Sequence, residues 1–207
     1  LMDYGLLQTV APTTEPVTLS EVKAHLNLPL ADSTFDTLLT RQIKAAREYV
    51  EQRSGRALIT QTWRLAVRRF PGSDDIGGCA YEGALLLPRS PLQTVSSVKY
   101  LAAADGTDTT WAADQYVVSA DMQPGRIEPA HGVSWPAVRE RNQSVRVTYV
   151  AGYGAAAAVP ARAVQAVLLM VGHMFLYREP TVTAAAAATM PYSLDAMIVG
   201  LRDGWVW

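Results

Sequence analysis

The chain has 207 residues, 49% of them hydrophobic and 18% charged, which is enough apolar material for a packed core and argues against disorder. Lys and Arg number 18 against 19 Asp and Glu, for a formal net charge of −1. No cationic excess exists to neutralise a phosphate backbone, so tight nucleic-acid binding is not expected.

Only Lys23, Lys44 and Lys99 are lysines; the other basic residues are arginines, whose planar fork suits interface ion pairs. The first predicted elements are helical. Thr18 and Glu21 form a T-x-x-E capping box, with Val17 and Val22 at the two positions of a hydrophobic staple. This short helix stops near Pro29. A second start is expected at Asp32-Ser33. Phe35, Leu39, Ile43, Ala46 and Val50 then recur every three or four residues, one apolar stripe on a longer helix that Gly55 ends.

Residues 57–150 change to period two. Trp63, Leu65 and Val67 alternate with Arg64, Ala66 and Arg68, the pattern of a half-buried strand. Residues 71–83 read as a mobile loop holding the lone Cys79. Leu85-Leu86-Leu87, Val95 to Leu101, Thr109 to Trp111, Tyr116 to Ser119, Ile127 and Val145 to Val150 continue the strand series between turn formers. An antiparallel sheet or small barrel is expected. Trp63 and Trp111 read as core, whereas Trp135 reads equally as a plug or a contact.

Residues 159–179 return to helix, with Pro160 in its first turn. Val164, Val167, Leu168, Val171, Phe175 and Leu176 make one face, and Leu169, Met170 and Met174 lie outside it, so burial on several sides is expected. Its apolar stretch is too short to cross a bilayer, and no basic-then-apolar signal opens the chain, so a soluble intracellular protein without membrane contact is expected. Residues 181–190 form a small-residue linker. Residues 191–207 regain Tyr192, Leu194, Met197, Ile198, Leu201, Trp205 and Trp207, read as an interaction arm, with fold-back onto the parent domain as the alternative.

The fold class is therefore α+β. A helical domain (1–56 and 155–180, two N-terminal helices and one long C-terminal helix) carries an inserted antiparallel β domain at 57–154, followed by the linker and an extended tail. No catalytic constellation emerges. His25, His131 and His173 lack metal-ligand spacing, and no G-x-S-x-G is present. Gly152 and Gly154 serve a sheet-to-helix reversal, and Asp74, Asp75, Asp105 and Asp108 sit in turns. No catalytic, cofactor or metal residue is assigned, and no enzyme activity is expected.

Several stretches resemble phage head–tail connector (adaptor) proteins. They are Val17-Thr-Leu-Ser-Glu-Val-Lys-Ala-His-Leu26, Ile43-Lys-Ala-Ala-Arg-Glu-Tyr-Val-Glu51, Leu87-Pro-Arg-Ser-Pro-Leu-Gln-Thr-Val-Ser-Ser-Val-Lys-Tyr100, Pro124-Gly-Arg-Ile-Glu-Pro129 with Ser134-Trp-Pro136, Val145 to Gly154, Val159 to Glu179 and Met190-Pro-Tyr192. The resemblance, to the longer subfamily with an inserted β region, implies a virion-neck protein assembled in the host cytoplasm. It implies a homo-oligomeric ring of twelve copies under the portal protein, which extends the DNA channel and docks the stopper or tail-completion protein. DNA would pass without sequence-specific contact. The arm residues named above are the expected portal or neighbour contacts, and Arg139, Arg141 and Arg146 the expected inter-subunit pairs. A stopper or tail-completion protein, and a ligand-binding β module stacking on Trp111 and Trp135, are the alternatives.

Overall fold

A computed structural model describes residues 4–177 and 192–202. The described residues hold four α-helices and two five-stranded antiparallel sheets, an α+β fold whose contacts divide into two compact units.

The helical unit comprises Thr13–Ile59 and Tyr153–Arg202. Helix α1 (Leu19–His25) opens as its sequence requires. The Thr18 hydroxyl accepts the Glu21 amide at 3.2 Å, and the Glu21 carboxylate accepts the Thr18 amide at 2.6 Å. Val17 and Val22 are both buried in the core.

Helix α2 (Asp36–Ser54) begins four residues later than Asp32 suggested. The Asp32 carboxylate closes a local turn instead, accepting the Thr34 amide at 2.9 Å and hydroxyl at 2.6 Å. A short polar side chain that satisfies nearby groups in this way competes with helix formation. Asp36 occupies the first turn and pairs with the buried Lys23 at 2.6 Å. The stripe of α2 is core at Leu39, Ile43, Ala46 and Val50; Phe35 is partly buried and meets Phe175 edge-on, with centroids 5.3 Å apart. Gly55 caps the helix at φ 75°, its amide donating to the Glu51 carbonyl at 3.0 Å.

Helix α3 (Ala161–Leu176) buries Ala163, Ala166, Val167, Met170 and Val171 and packs on α2. Val164, Leu168, Met174 and Phe175 are partly buried around that core. The expected extended tail is corrected over residues 192–202. Tyr192–Val199 form helix α4, which packs on α3 and α2, and Leu194, Ile198 and Leu201 are no more than 6% exposed. Eight residues are too few to hold a helix alone, so packing of this apolar face is what makes the segment helical.

The β unit contains Thr60–Gly152 and the N-terminal segment ending at Pro12. One sheet has the order β1 (Tyr4–Val10), β2 (Gln61–Val67), β10 (Val145–Ala151), β6 (Leu92–Leu101) and β7 (Asp108–Trp111). The other runs β3 (Ile76–Gly77), β4 (Ala80–Tyr81), β5 (Ala84–Leu87), β9 (Gly125–Pro129) and β8 (Tyr116–Ser119). Strand β1 corrects the placement of all of residues 1–56 in the helical domain, since Tyr4 pairs with Val67 and Leu6 with Leu65. Alternation decides which residues enter the core. Leu65 and Val67 on β2 and Val145, Val147 and Tyr149 on β10 are buried, while Arg64, Ala66, Arg146 and Thr148 between them are less so.

The loop expected at 71–83 instead carries a pair of short strands. Asp75 anchors it, taking a bidentate pair from Arg69 at 2.6 and 2.9 Å and the Gly72 amide at 2.6 Å. Cys79 is fully buried there, and burial pushes its thiol pKa up to about 12. Gly125 permits a close approach in the same unit, because a Cβ there would lie 2.6 Å from the Leu92 Cβ.

Candidate assembly surfaces

Large aromatic side chains in a β framework can either present stacking platforms or fill the interior. Phe70 and Trp111 do the second, and the half-buried Trp135 packs against them. Phe70 stacks on Trp135 with centroids 4.5 Å apart and planes at 13°, and Trp111 lies 5.1 Å from Trp135 and 5.2 Å from Tyr116. The Trp135 indole N–H donates to the Gly83 carbonyl at 2.9 Å. Trp111 is 8% exposed. Phe70 covers one face of Trp135 and Trp111 is buried, which weakens the support for a ligand module stacking on Trp111 and Trp135. Trp63, expected in the core, is only half-buried and carries the Arg89 guanidinium 5.1 Å from its ring.

The predicted arm residues separate. Leu194, Ile198 and Leu201 fill the chain's own core and are unavailable as docking anchors, a correction that follows from the burial of α4. Met197 is partly buried against the same core. Trp205, Trp207 and the Tyr192 side chain lie outside the described residues, as does the linker at 181–190. Arginines secure the end of α4. The Arg56 Nε donates to the Leu201 carbonyl, Arg162 donates to the Gly200 carbonyl at 3.1 Å, and Arg202 donates to the Arg53 carbonyl at 3.1 Å. Arg56 also donates to the Tyr153 hydroxyl at 3.0 Å.

The three arginines expected in cross-subunit pairs separate as well. Arg146 already pairs with Asp108 at 2.6 Å within its own chain. Arg139 and Arg141 are exposed. Elsewhere arginine serves the interior of the helical unit. Arg47 is 3% exposed and donates to Glu15 and to Glu51, each at 2.7 Å, while Glu51 also accepts the Leu58 amide at 2.8 Å. Burial works to lower the Arg47 pKa, and Glu51 and Glu15 together outweigh it, so it is raised. Lys23 likewise ends on the Leu30 and Asp32 carbonyls, at 3.2 and 2.7 Å, besides Asp36. Buried charges so paired fix the loops around α2; only the Arg47–Glu51 spacing of four is a local pattern, and the Glu15 and Lys23 contacts are not.

Among the described residues, no three His, Cys, Asp or Glu side chains are placed to hold a metal ion, and no helix is long and apolar enough to cross a membrane. What the surface offers is apolar contact. Leu7 and Val10 on β1, Ile76, Val117 and Met122 in the β unit, and Leu30, Leu176 and Tyr177 in the helical unit are exposed. Such side chains suit contact with other chains.

Comparison with known proteins points the same way. Residues 16–104 match the family described as phage gp6-like head-tail connector protein. No curated protein matches the sequence. Among solved structures, a chain in the neck of an empty GTA particle computed with C6 symmetry is 26% identical, with a TM-score of 0.77. The match covers 98% of this chain and 97% of that one. A chain in the virion of a native gene transfer agent (GTA) particle is also 26% identical over 98% and 97%, with a TM-score of 0.75. A third, in the neck of a native GTA particle computed with C12 symmetry, has the same identity and coverage and a TM-score of 0.71.

Proposed function

We propose that this chain, a structural head–tail connector subunit of a phage-like particle, acts as one of twelve copies in a closed ring between portal and stopper. The ring extends the channel through which DNA passes and presents the docking surface for the tail. The observation that carries this is the end-to-end likeness to a chain of a particle neck, at 98% and 97% coverage. The C12 symmetry of the native neck supports the copy number. A net charge of −1 supports passage of DNA rather than its recognition.

Trp205 and Trp207 are the residues we assign to the portal, and Arg139 and Arg141 those we assign to neighbouring copies. Aromatic and arginine side chains are the usual anchors of such interfaces. Assembly takes place in the host cytoplasm, and the mature location is the virion neck. The portal templates the ring: each bound copy meets its neighbour at high effective concentration, so modest lateral contacts suffice. Sedimentation of the free protein at micromolar concentration, followed by electron microscopy after its own portal is added, tests this. Monomers that become rings on the portal are the expected result. A protein that forms no ring with its portal would refute the connector role, and a stable ring without portal would refute templating.

A further inference from the structure

We propose that the outer edge of β1 pairs with the outer edge of β7 of the next copy, so that neighbouring subunits share one continuous sheet. This rests on the ring reading and supplies its lateral contact. Among the described strands β1 neighbours β2 and β7 neighbours β6 at the two ends of the order, so the two strands form opposite margins of one sheet. Strand β1 spans seven residues, Tyr4–Val10, with neither charge nor proline. Leu7 and Val10 are 58% and 54% exposed. An edge strand meant to stay single is usually blunted by lysine, proline, a bulge or shortness. Here the irregularity between Gln8 and Val10 is confined to one end. At the other margin, β7 offers Thr109 and Thr110, good strand formers, and the charge of Asp108 is held by Arg146 at 2.6 Å.

Cyclic symmetry selects the occupant. A ring needs two different, complementary surfaces on opposite sides of each copy, whereas one self-complementary patch closes a dimer. The two margins of a five-stranded sheet, four spacings or about 19 Å apart, are such a pair. Every neighbouring pair in this sheet is antiparallel, so β1 and β7 run in the same direction. Copies related by rotation would therefore join as parallel strands, bonded through the backbone. Main-chain pairing requires little of the side chains, which suits a margin without charges of its own.

Cysteine cross-linking on portal-assembled rings tests the pairing. Cys79 is the lone cysteine and is buried, so it contributes little background to thiol reagents. Leu7→Cys is combined in one chain with Thr109→Cys or, separately, with Thr110→Cys, which together sample both faces of β7. Rings are treated with a short bismaleimide that bridges neighbouring registers. A denaturing gel should show a ladder from dimer to closed ring for at least one double variant, and monomer for each single variant. Rings that form normally but give no ladder from either double variant would overturn the pairing while leaving the connector role intact. Dimers from Leu7→Cys alone, meaning β1 against β1, would overturn it too. Absence of rings in the unsubstituted protein is the separate result that refutes the role itself. As a second measurement, Leu7→Pro and Gln8→Pro are made singly. Adjacent residues send their N–H groups to opposite sides of a strand, so one variant should keep the parent melting temperature yet lose ring formation. Unimpaired ring formation by the stably folded variant would also overturn the proposal.

Discussion

Helix α4 is the element whose removal from its groove is most informative, and Leu194→Ala is the smallest change that does it. Leu194 is 0% exposed, with Ile198 and Leu201 beside it in the core. Burying these three side chains contributes about 1.5–3 kcal/mol each, roughly 6 kcal/mol together. Ordering eight backbone residues opposes this by about 1 kcal/mol or more apiece, offset in part by the helix's own hydrogen bonds, so docking is marginal. Truncating a buried leucine to alanine costs about 2–5 kcal/mol. That is comparable to the whole docking free energy. The segment should therefore undock before the core around α2 and α3 yields, and the measured loss should saturate there. Hydrogen exchange read by mass spectrometry on a peptide covering 192–202 is the assay. Amides of α4 should exchange at least ten-fold faster in the variant, while those of α2 keep their protection. Unchanged α4 protection in Leu194→Ala would show that this side chain does not hold the helix, and the account of residues 192–202 as core would fail.

Val167→Asp places an unpaired carboxylate at a fully buried site on α3 and should cost several kcal/mol, seen as a lost helical melting transition by circular dichroism. Thr18→Ala removes the N-cap of α1 and should cost about 1 kcal/mol near neutral pH. The Glu21 carboxyl is held below its ordinary 4.5 by the Thr18 amide and hydroxyl, so its contribution is present above that value and fades as pH falls through the lower folded-state pKa. The hydrogen bond from the amide survives in Thr18→Ala, so the hydroxyl's share of the gap between parent and variant stabilities in urea should narrow as pH falls below the ordinary 4.5. Gly125→Ala drives a Cβ to within 2.6 Å of Leu92 and should cost about 1–3 kcal/mol in chemical denaturation of the β unit.

Local chemistry is legible from residue order. The Thr18–Glu21 box, the αL cap at Gly55 and the regular rhythm of Leu39, Ile43, Ala46 and Val50 each involve groups within one or two helical turns, so a few neighbouring residues determine them. Alternation on β2 and β10 is legible for the same reason, because period two is a property of a single strand. The family resemblance comes from the same short stretches taken in order. Tertiary structure decides what depends on distant partners. Tyr4–Val10 becomes a strand only because residues 61–67 supply its hydrogen bonds, and nothing in YGLLQTV names that partner. Arg146 reads as a candidate for pairing with another subunit until the fold brings Asp108, 38 residues away, to its guanidinium. Leu194, Ile198 and Leu201 carry the same composition whether they face a partner or their own core, since the hydrophobic effect has no direction. Their burial is settled by the groove that α2 and α3 leave open, with Arg56, remote in sequence, positioned to hold the end of α4.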